Sequence, residues 1–203
     1  MRITFKENTM QLPEQIDSER ITLKHPIKPT FNLAENLYTI VNKSRNTLRE
    51  WLPWVDKTNS VEDEFTGFLV GSCQKNWEEG CGFAYILYQK ETNLPLGVVD
   101  LIHVHEKNQS AEIGFWLSDD AVGHGYMQEA VRALESEAFK NGINRIIIRN
   151  DTQNVRSVHV AERCGYILDG VMRQDAWDEV HQRFRDTNVW SKLKSEWEKE
   201  REC

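Results

Sequence analysis

The chain predicts a mixed α/β fold: a mixed sheet of seven strands, the first of them antiparallel, with helices on both faces. Three observations carry this. Short runs of β-type residues cluster in the middle and near the end of the chain. Amphipathic stretches at helical spacing separate them. One strand, "AEIGFWL" (111–117), leaves through a glycine-bearing loop straight into a helix, "SDDAVGHGYMQEAVRAL" (118–134). The 39% hydrophobic content, with seven Trp and eight Phe, is that of a globular protein. No repeat, low-complexity tract or linker interrupts it, so one domain over 1–203 is expected, with 1–18 as an N-terminal extension.

The elements follow in order. "RITLKHP" (20–26) alternates Ile21 and Leu23 with polar neighbours, as a first strand does. "FNLAENLYTIVNKS" sets Leu33, Leu37, Ile40 and Val41 at helical spacing. Ser60 stands before "VEDEFTGFLVGSCQKNW", whose acidic first turn suits the helix dipole and whose stripe is Phe65, Phe68, Leu69 and Cys73. Residues 82–118 then read strand, turn, strand, turn, strand, with "ETNLP" as a hairpin connection. After the loop, Met127, Ala130, Val131, Leu134 and Ala138 share one helix face, and Gly142 ends that helix. "RIIIRN" is a continuous apolar run typical of a central strand. "NVRSVHVAERCGY" is a short helix closed by Gly165, and strands near 166–177 and 181–193 finish the sheet.

Composition excludes some partners. The net charge of −7 argues against nucleic acid and anionic membrane, both of which need a basic face. Cys73, Cys81, Cys164 and Cys203 form no C-x-x-C pair and read as reduced thiols. The first residues carry no apolar leader, and no run approaches a membrane span, so a cytoplasmic protein is expected. His103 and His105 alternate along one strand, but two histidines fall short of the three or four ligands zinc takes, so no metal is expected. Glu62, Asp63 and Glu64 suit either a polycation or a helix start.

A helix N-terminus exposes unpaired N–H groups and about half a positive charge, and glycines let a phosphate approach the backbone closely. Residues 120–125 therefore suit a pyrophosphate, although a plain tight turn fits the glycines equally well. "GHGYMQ" lacks the third glycine of a dinucleotide fingerprint, and no Gly-Lys-Ser/Thr of a P-loop follows.

The strand, the loop and the second short helix at Asn154 together resemble the GNAT acyl-CoA N-acyltransferases. Their loop motif is Gln/Arg-x-x-Gly-x-Gly/Ala; here "DAVGHG" supplies Asp120, Gly123 and Gly125, with Asp in place of Gln or Arg. The resemblance is closer to the RimJ/RimL-type protein N-terminal acetyltransferases and covers nearly the whole chain. "SERITLKHP", "LREWLPW", "AEIGFWLSDDAVGHGYMQEAVRALESEAF", "INRIIIRNDTQNVRSVHVAERCGYILDGVMR" and "DTNVWSKLKSEW" follow one another as that branch's blocks do. It implies a GNAT fold whose mostly antiparallel sheet splays in the middle. It also implies an acetyl-CoA-dependent N-acetyltransferase whose acceptor is a protein or peptide α-amine, pairing of two copies as a homodimer, and direct transfer within a ternary complex.

The resemblance also implies site residues. Backbone groups of Phe115, Trp116 and Leu117 would hold pantetheine and the acetyl oxygen, and Gly123, His124, Gly125, Tyr126 and Met127 the pyrophosphate. The tyrosine that many GNAT enzymes use as general acid would stand at Ala161 and is absent. The branch uses a serine in "N-x-x-S" instead, here Ser157, with Asn154 on pantetheine or substrate; helix capping explains the Asn as well. Asp169 takes the position of the branch's acidic base, and Glu112 on the splayed strand is the second candidate. Trp51 and Trp54 fit either an acceptor wall or core. Two further functions stay open: acetylation of a small amine such as a polyamine, amino acid or antibiotic, and CoA binding without turnover.

Overall fold

The computed structural model describes residues 10–202. Eight strands form one sheet in the order β1-β2-β3-β4-β5-β6-β8-β7. They are β1 (Gln15–Asp17), β2 (Ile21–Lys24), β3 (Phe83–Gln89), β4 (Pro95–His105), β5 (Ser110–Leu117), β6 (Arg145–Asp151), β7 (Ile167–Asp178) and β8 (Arg183–Leu193). Neighbours run antiparallel except β5 and β6. The strand beyond the seven expected is β1. It lies in the segment read as an N-terminal extension, where Ile16 and Leu12 are buried in the core. Residues 1–9 of that extension lie outside the described residues.

Helices cover both faces. On one lie α1 (Phe31–Lys43), the short α2 (Arg45–Leu48) and a continuous helix from 61 to 79. That helix begins as α3 (Val61–Asp63), widens to a π-helix over Glu64–Gln74 and ends as α4 (Lys75–Glu79). Thr30 caps α1, its hydroxyl accepting the Leu33 N–H, and Ala34, Leu37 and Val41 turn inward onto Ile86, Val98 and Trp116. The other face carries α5 (Tyr126–Lys140), α6 (Val155–Arg163) and α7 (Lys194–Glu200). There Val131, Leu134 and Ala138 pack on Val99, Leu101, Ile113, Ile146 and Ile148. Each buried Leu or Val contributes about 1.5–3 kcal/mol, which is why the amphipathic stripe fixes each helix's face.

The acidic start of the 61–79 helix is structural. The Ser60 hydroxyl accepts the Asp63 N–H at 3.1 Å, and Asp63 accepts the Asn59 N–H at 2.9 Å. Glu64 is buried, and desolvation raises its carboxyl to about 7. These three acids therefore present no joint anionic surface to a polycation. Among the described residues no helix is long and apolar enough to cross a membrane.

One feature of the sheet positions the site. β5 and β6 pair only at Ser110↔Arg145, Ala111↔Ile146 and Glu112↔Ile147. Beyond Glu112, β5 stays with β4 while β6 stays with β8 as far as Asp151. The sheet splays there, and the Gly123–Gly125 loop and α5 fill the crossover between the two strands.

Candidate active site

A groove of about 460 Å³ opens at the splay. Ile113, Phe115, Trp116 and Leu117 line one side. Their backbone groups on that edge have no strand partner, because β6 has moved away. Gly114 lines it too, and must be glycine. A Cβ there would collide with the carboxylate of Asp100, which lies opposite it on β4. Asp100 is partly buried, and desolvation raises its carboxyl to about 6.

At one end of the groove α5 begins at Gly125, whose φ of +79° is left-handed backbone and whose lack of a side chain leaves the first-turn amides uncapped. Glu129, an acid in that first turn, is drawn off by Arg20. The Arg20 Nε donates to Glu129 at 2.8 Å and its Nη1 donates to the His124 carbonyl at 2.9 Å. Arg20, just before β2, thus fastens the loop and leaves the helix N-terminus facing the groove. On α6, Arg156, His159 and Arg163 recur at i, i+3 and i+7 and line the same end. Uncapped amides and three nitrogenous side chains suit the phosphates of coenzyme A.

Ser157 stands where β6 gives way to α6. Its N–H donates to the Asn154 side chain at 3.1 Å, so Asn154 is indeed the helix cap. Its hydroxyl oxygen accepts from Asn150 Nδ2 at 3.3 Å, and Asn150 Oδ1 accepts from Asn188 Nδ2 at 3.1 Å. This amide relay occupies the hydroxyl's acceptor side and leaves its proton free to be donated into the groove. Ala161 is buried, and the methyl it carries there offers no proton, which leaves Ser157 as the hydroxyl of α6 that lines the groove.

Strand alternation sorts the remaining groups. Ile146, Ile148 and Asn150 face α5 and α6, so Ile147, Arg149 and Asp151 face the side of α1 and α2. Glu112 faces that side as well, with His103 Nδ1 3.3 Å from its carboxylate. Thr47, Leu48, Trp51 and Leu52 wall that end. The groove therefore runs from the α5–α6 face, through the splay, to the α1–α2 face.

Among the sequence-predicted residues, the groove gathers Glu112, Phe115, Trp116, Leu117, Gly123, Gly125, Met127, Asn154 and Ser157. It does not gather Asp169. That carboxylate sits at a β7 bulge and pairs with Arg145 at 2.6 Å, five residues along β6 from Asn150, or about 16 Å. Asp120 is exposed in the turn before the loop and lies off the groove. Tyr126 turns back to accept from Gln89 at 3.1 Å, and the His124 ring packs beside it. Trp54 packs into the core with its ring 5.9 Å from Trp116, whereas Trp51 lines the groove. Sequence reasoning missed Asn150, Asn188, Arg20, Arg149 and Arg185. Only Asn150, a polar residue ending a buried apolar strand, carried a local signal.

A splayed sheet with an uncapped helix N-terminus and a hydroxyl at the split is the arrangement an acyl-CoA-dependent acyltransferase needs, with room for the phosphates, the thioester and a proton donor. The family model described as "Acetyltransferase (GNAT) domain" matches residues 20–167, and the chain belongs to that family. It is 28% identical over 179 residues to the ribosomal-protein-serine acetyltransferase of Escherichia coli K12, covering 85% of this chain and 93% of that one. It is also 28% identical over 170 residues to the putative ribosomal N-acetyltransferase YdaF of Bacillus subtilis 168, covering 83% and 90%. Among solved structures, a RimL ribosomal α-N-protein acetyltransferase with coenzyme A superposes with a TM-score of 0.80 at 23% identity, covering 89% of this chain and 98% of that one. MccE, a microcin self-immunity acetyltransferase with acetyl-CoA and AMP, superposes at 0.78 with 24% identity, covering 86% and 93%. The protein is an acetyl-CoA-dependent N-acetyltransferase with a RimJ/RimL-type GNAT fold.

Proposed function

We propose that the acceptor is the α-amine of a protein or peptide N-terminus. The observation that carries this is the groove's continuation past the splay onto the α1–α2 face, where Trp51, Leu52 and Glu112 border open space. The names of two relatives, a ribosomal-protein-serine acetyltransferase and a putative ribosomal N-acetyltransferase, support the same reading.

The chemistry has three needs: a neutral amine, a stabilised oxyanion and a protonated leaving thiolate. An α-amine of pKa near 8 is about one-tenth neutral at pH 7, whereas lysine is neutral in only about 1 part in 2,500. A carboxylate acting through water suffices for the α-amine. Asp119, which accepts from the Thr47 hydroxyl, and Asp151, which accepts the Gln153 N–H, also line the groove, and Glu112 is the carboxylate beside the β5 edge at the splay. The unpaired β5 edge from Ile113 to Leu117 supplies backbone donors for the oxyanion. Ser157, its oxygen held by Asn150, gives its proton to the thiolate. Arg156, His159 and Arg163 face the phosphates.

We place the protein in the cytoplasm as a single domain over 1–203, and pair two copies along β7. Ile167, Leu168, Val171 and Met172 are all exposed on that edge strand. Sedimentation would show a dimer that Leu168→Lys with Met172→Glu dissociates.

Thiol release from acetyl-CoA tests the acceptor. The panel holds peptides beginning with Ser, Ala, Met or Thr, the same peptides N-blocked but carrying lysine, and spermidine. Release with the free α-amines alone is expected. Release with spermidine alone would assign the enzyme to small amines.

A further inference from the structure

On the α1–α2 face of the groove, each charge but one has a partner among the described residues. Arg149 pairs with Asp175 at 3.0 Å. Asp151 accepts the Gln153 N–H at 2.7 Å and lies 3.4 Å from Arg183. Glu112 has His103. Arg185 has no hydrogen bond or ion pair among the described residues, although it lines the groove. Its Nε is buried without a partner. Asp151 is opposite Thr187, so alternation along β8 puts Arg185 on the same face as Asp151 and Arg149.

A guanidinium presents five donors and stays charged, and leaving it partly buried and unpaired is costly. An anion supplied by a ligand removes that cost. The phosphates of coenzyme A do not serve, because the α5 N-terminus that suits them lies on the opposite face of the sheet. The acceptor is the other ligand.

We infer that Arg185 selects acceptor peptides carrying a carboxylate a few residues after the reacting amine. The inference rests on the peptide-acceptor reading and narrows it. Glu112 receives the ammonium end and Arg185 the acidic side chain, so the acceptor is bound as a dipole. Glu112 is opposite Ile147, and Ile147 is opposite Ser191; Arg185 lies six residues further along β8. That is about 20 Å of strand, less once two long side chains reach inward. An extended peptide spans the remainder with its third to fifth residue at Arg185. A polyamine would place a second cation against the guanidinium.

The test walks one Asp through positions 2 to 6 of a Ser-initiated neutral peptide, with Asn at the same positions as control. In the wild type, kcat/KM for the best Asp peptide should exceed its Asn control by about tenfold or more, with the optimum at positions 3 to 5. The Asp/Asn ratio should fall to about 1 in Arg185→Gln and recover in part in Arg185→Lys. Equal rates for Asp and Asn peptides at every position would overturn the inference and leave the peptide reading standing. A ratio unchanged in Arg185→Gln would also overturn it. If no peptide reacted while spermidine did, both would fall.

Discussion

Ser157 is worth most at the residue scale, because its hydroxyl combines a fixed oxygen with a free proton. Ser157→Ala should lower kcat by about 100-fold or more while CoA affinity, read by calorimetry, changes little. Asn150→Ala should lower kcat less, since it loosens the hydroxyl without removing it. Glu112→Gln should cut the rate by about 10- to 100-fold at pH 7. That deficit should shrink above about pH 8, where an α-amine is already mostly neutral. A deficit constant from pH 6 to 9 would remove Glu112 from proton transfer. Ser157 and Glu112 line the groove, as the family resemblance of "NVRS" and of the strand before the loop implies. Asn188 and Arg185 were not legible in the sequence. Their roles depend on pairing β6 with β8, which brings together residues nearly forty positions apart. Asp169 looked like a base from its place in "CGYILDG", but a β7 bulge and the Arg145 guanidinium take it elsewhere.

The decisive element is the β5–loop–α5 unit. Its glycines were readable as glycines; that Gly125 leaves the helix uncapped, and that Arg20 pulls Glu129 aside, were not. Gly125→Ala forces a side chain into left-handed backbone at a cost of about 1–2 kcal/mol and moves the first amides. It should raise KM for acetyl-CoA more than it lowers kcat, as measured in a steady-state titration. The 61–79 helix shows the opposite case. Its apolar stripe predicted a helix correctly, but the π-helical middle has a longer period than the 3.6 residues assumed. Phe65 and Phe68 consequently end only partly buried, while Glu64 goes inside. β1 was illegible because three residues hold too little pattern to separate a strand from a tail.

At the scale of the whole molecule, buried carboxyls set the pH dependence. Glu64 and Glu135 are both raised to about 7 by desolvation, from the ordinary 4.5. The folded state therefore holds protons that the unfolded state has released, and the stability they contribute is present below about pH 4.5 and lost as pH rises towards 7. Glu64→Gln should raise Tm at pH 8 relative to the wild type and do so much less at pH 5, by calorimetric melting. Lys192 Nζ, buried between Glu135 at 3.1 Å and Glu200 at 2.6 Å, ties α7 and α5 to the end of α6 through the Cys164 carbonyl at 2.9 Å. Lys192→Ala leaves Glu135 without its cation and should cost about 3–5 kcal/mol in denaturant unfolding.

Transfer of acetyl to a peptide α-amine across the splay leaves its mark in the position of the acetyl group. A Ser-initiated peptide with one internal lysine and one acidic residue is incubated with acetyl-CoA, and the product is sequenced by tandem mass spectrometry. Acetyl is expected on the N-terminal amine alone. Acetyl on the lysine side chain, or none on the peptide while small amines are acetylated, would contradict it.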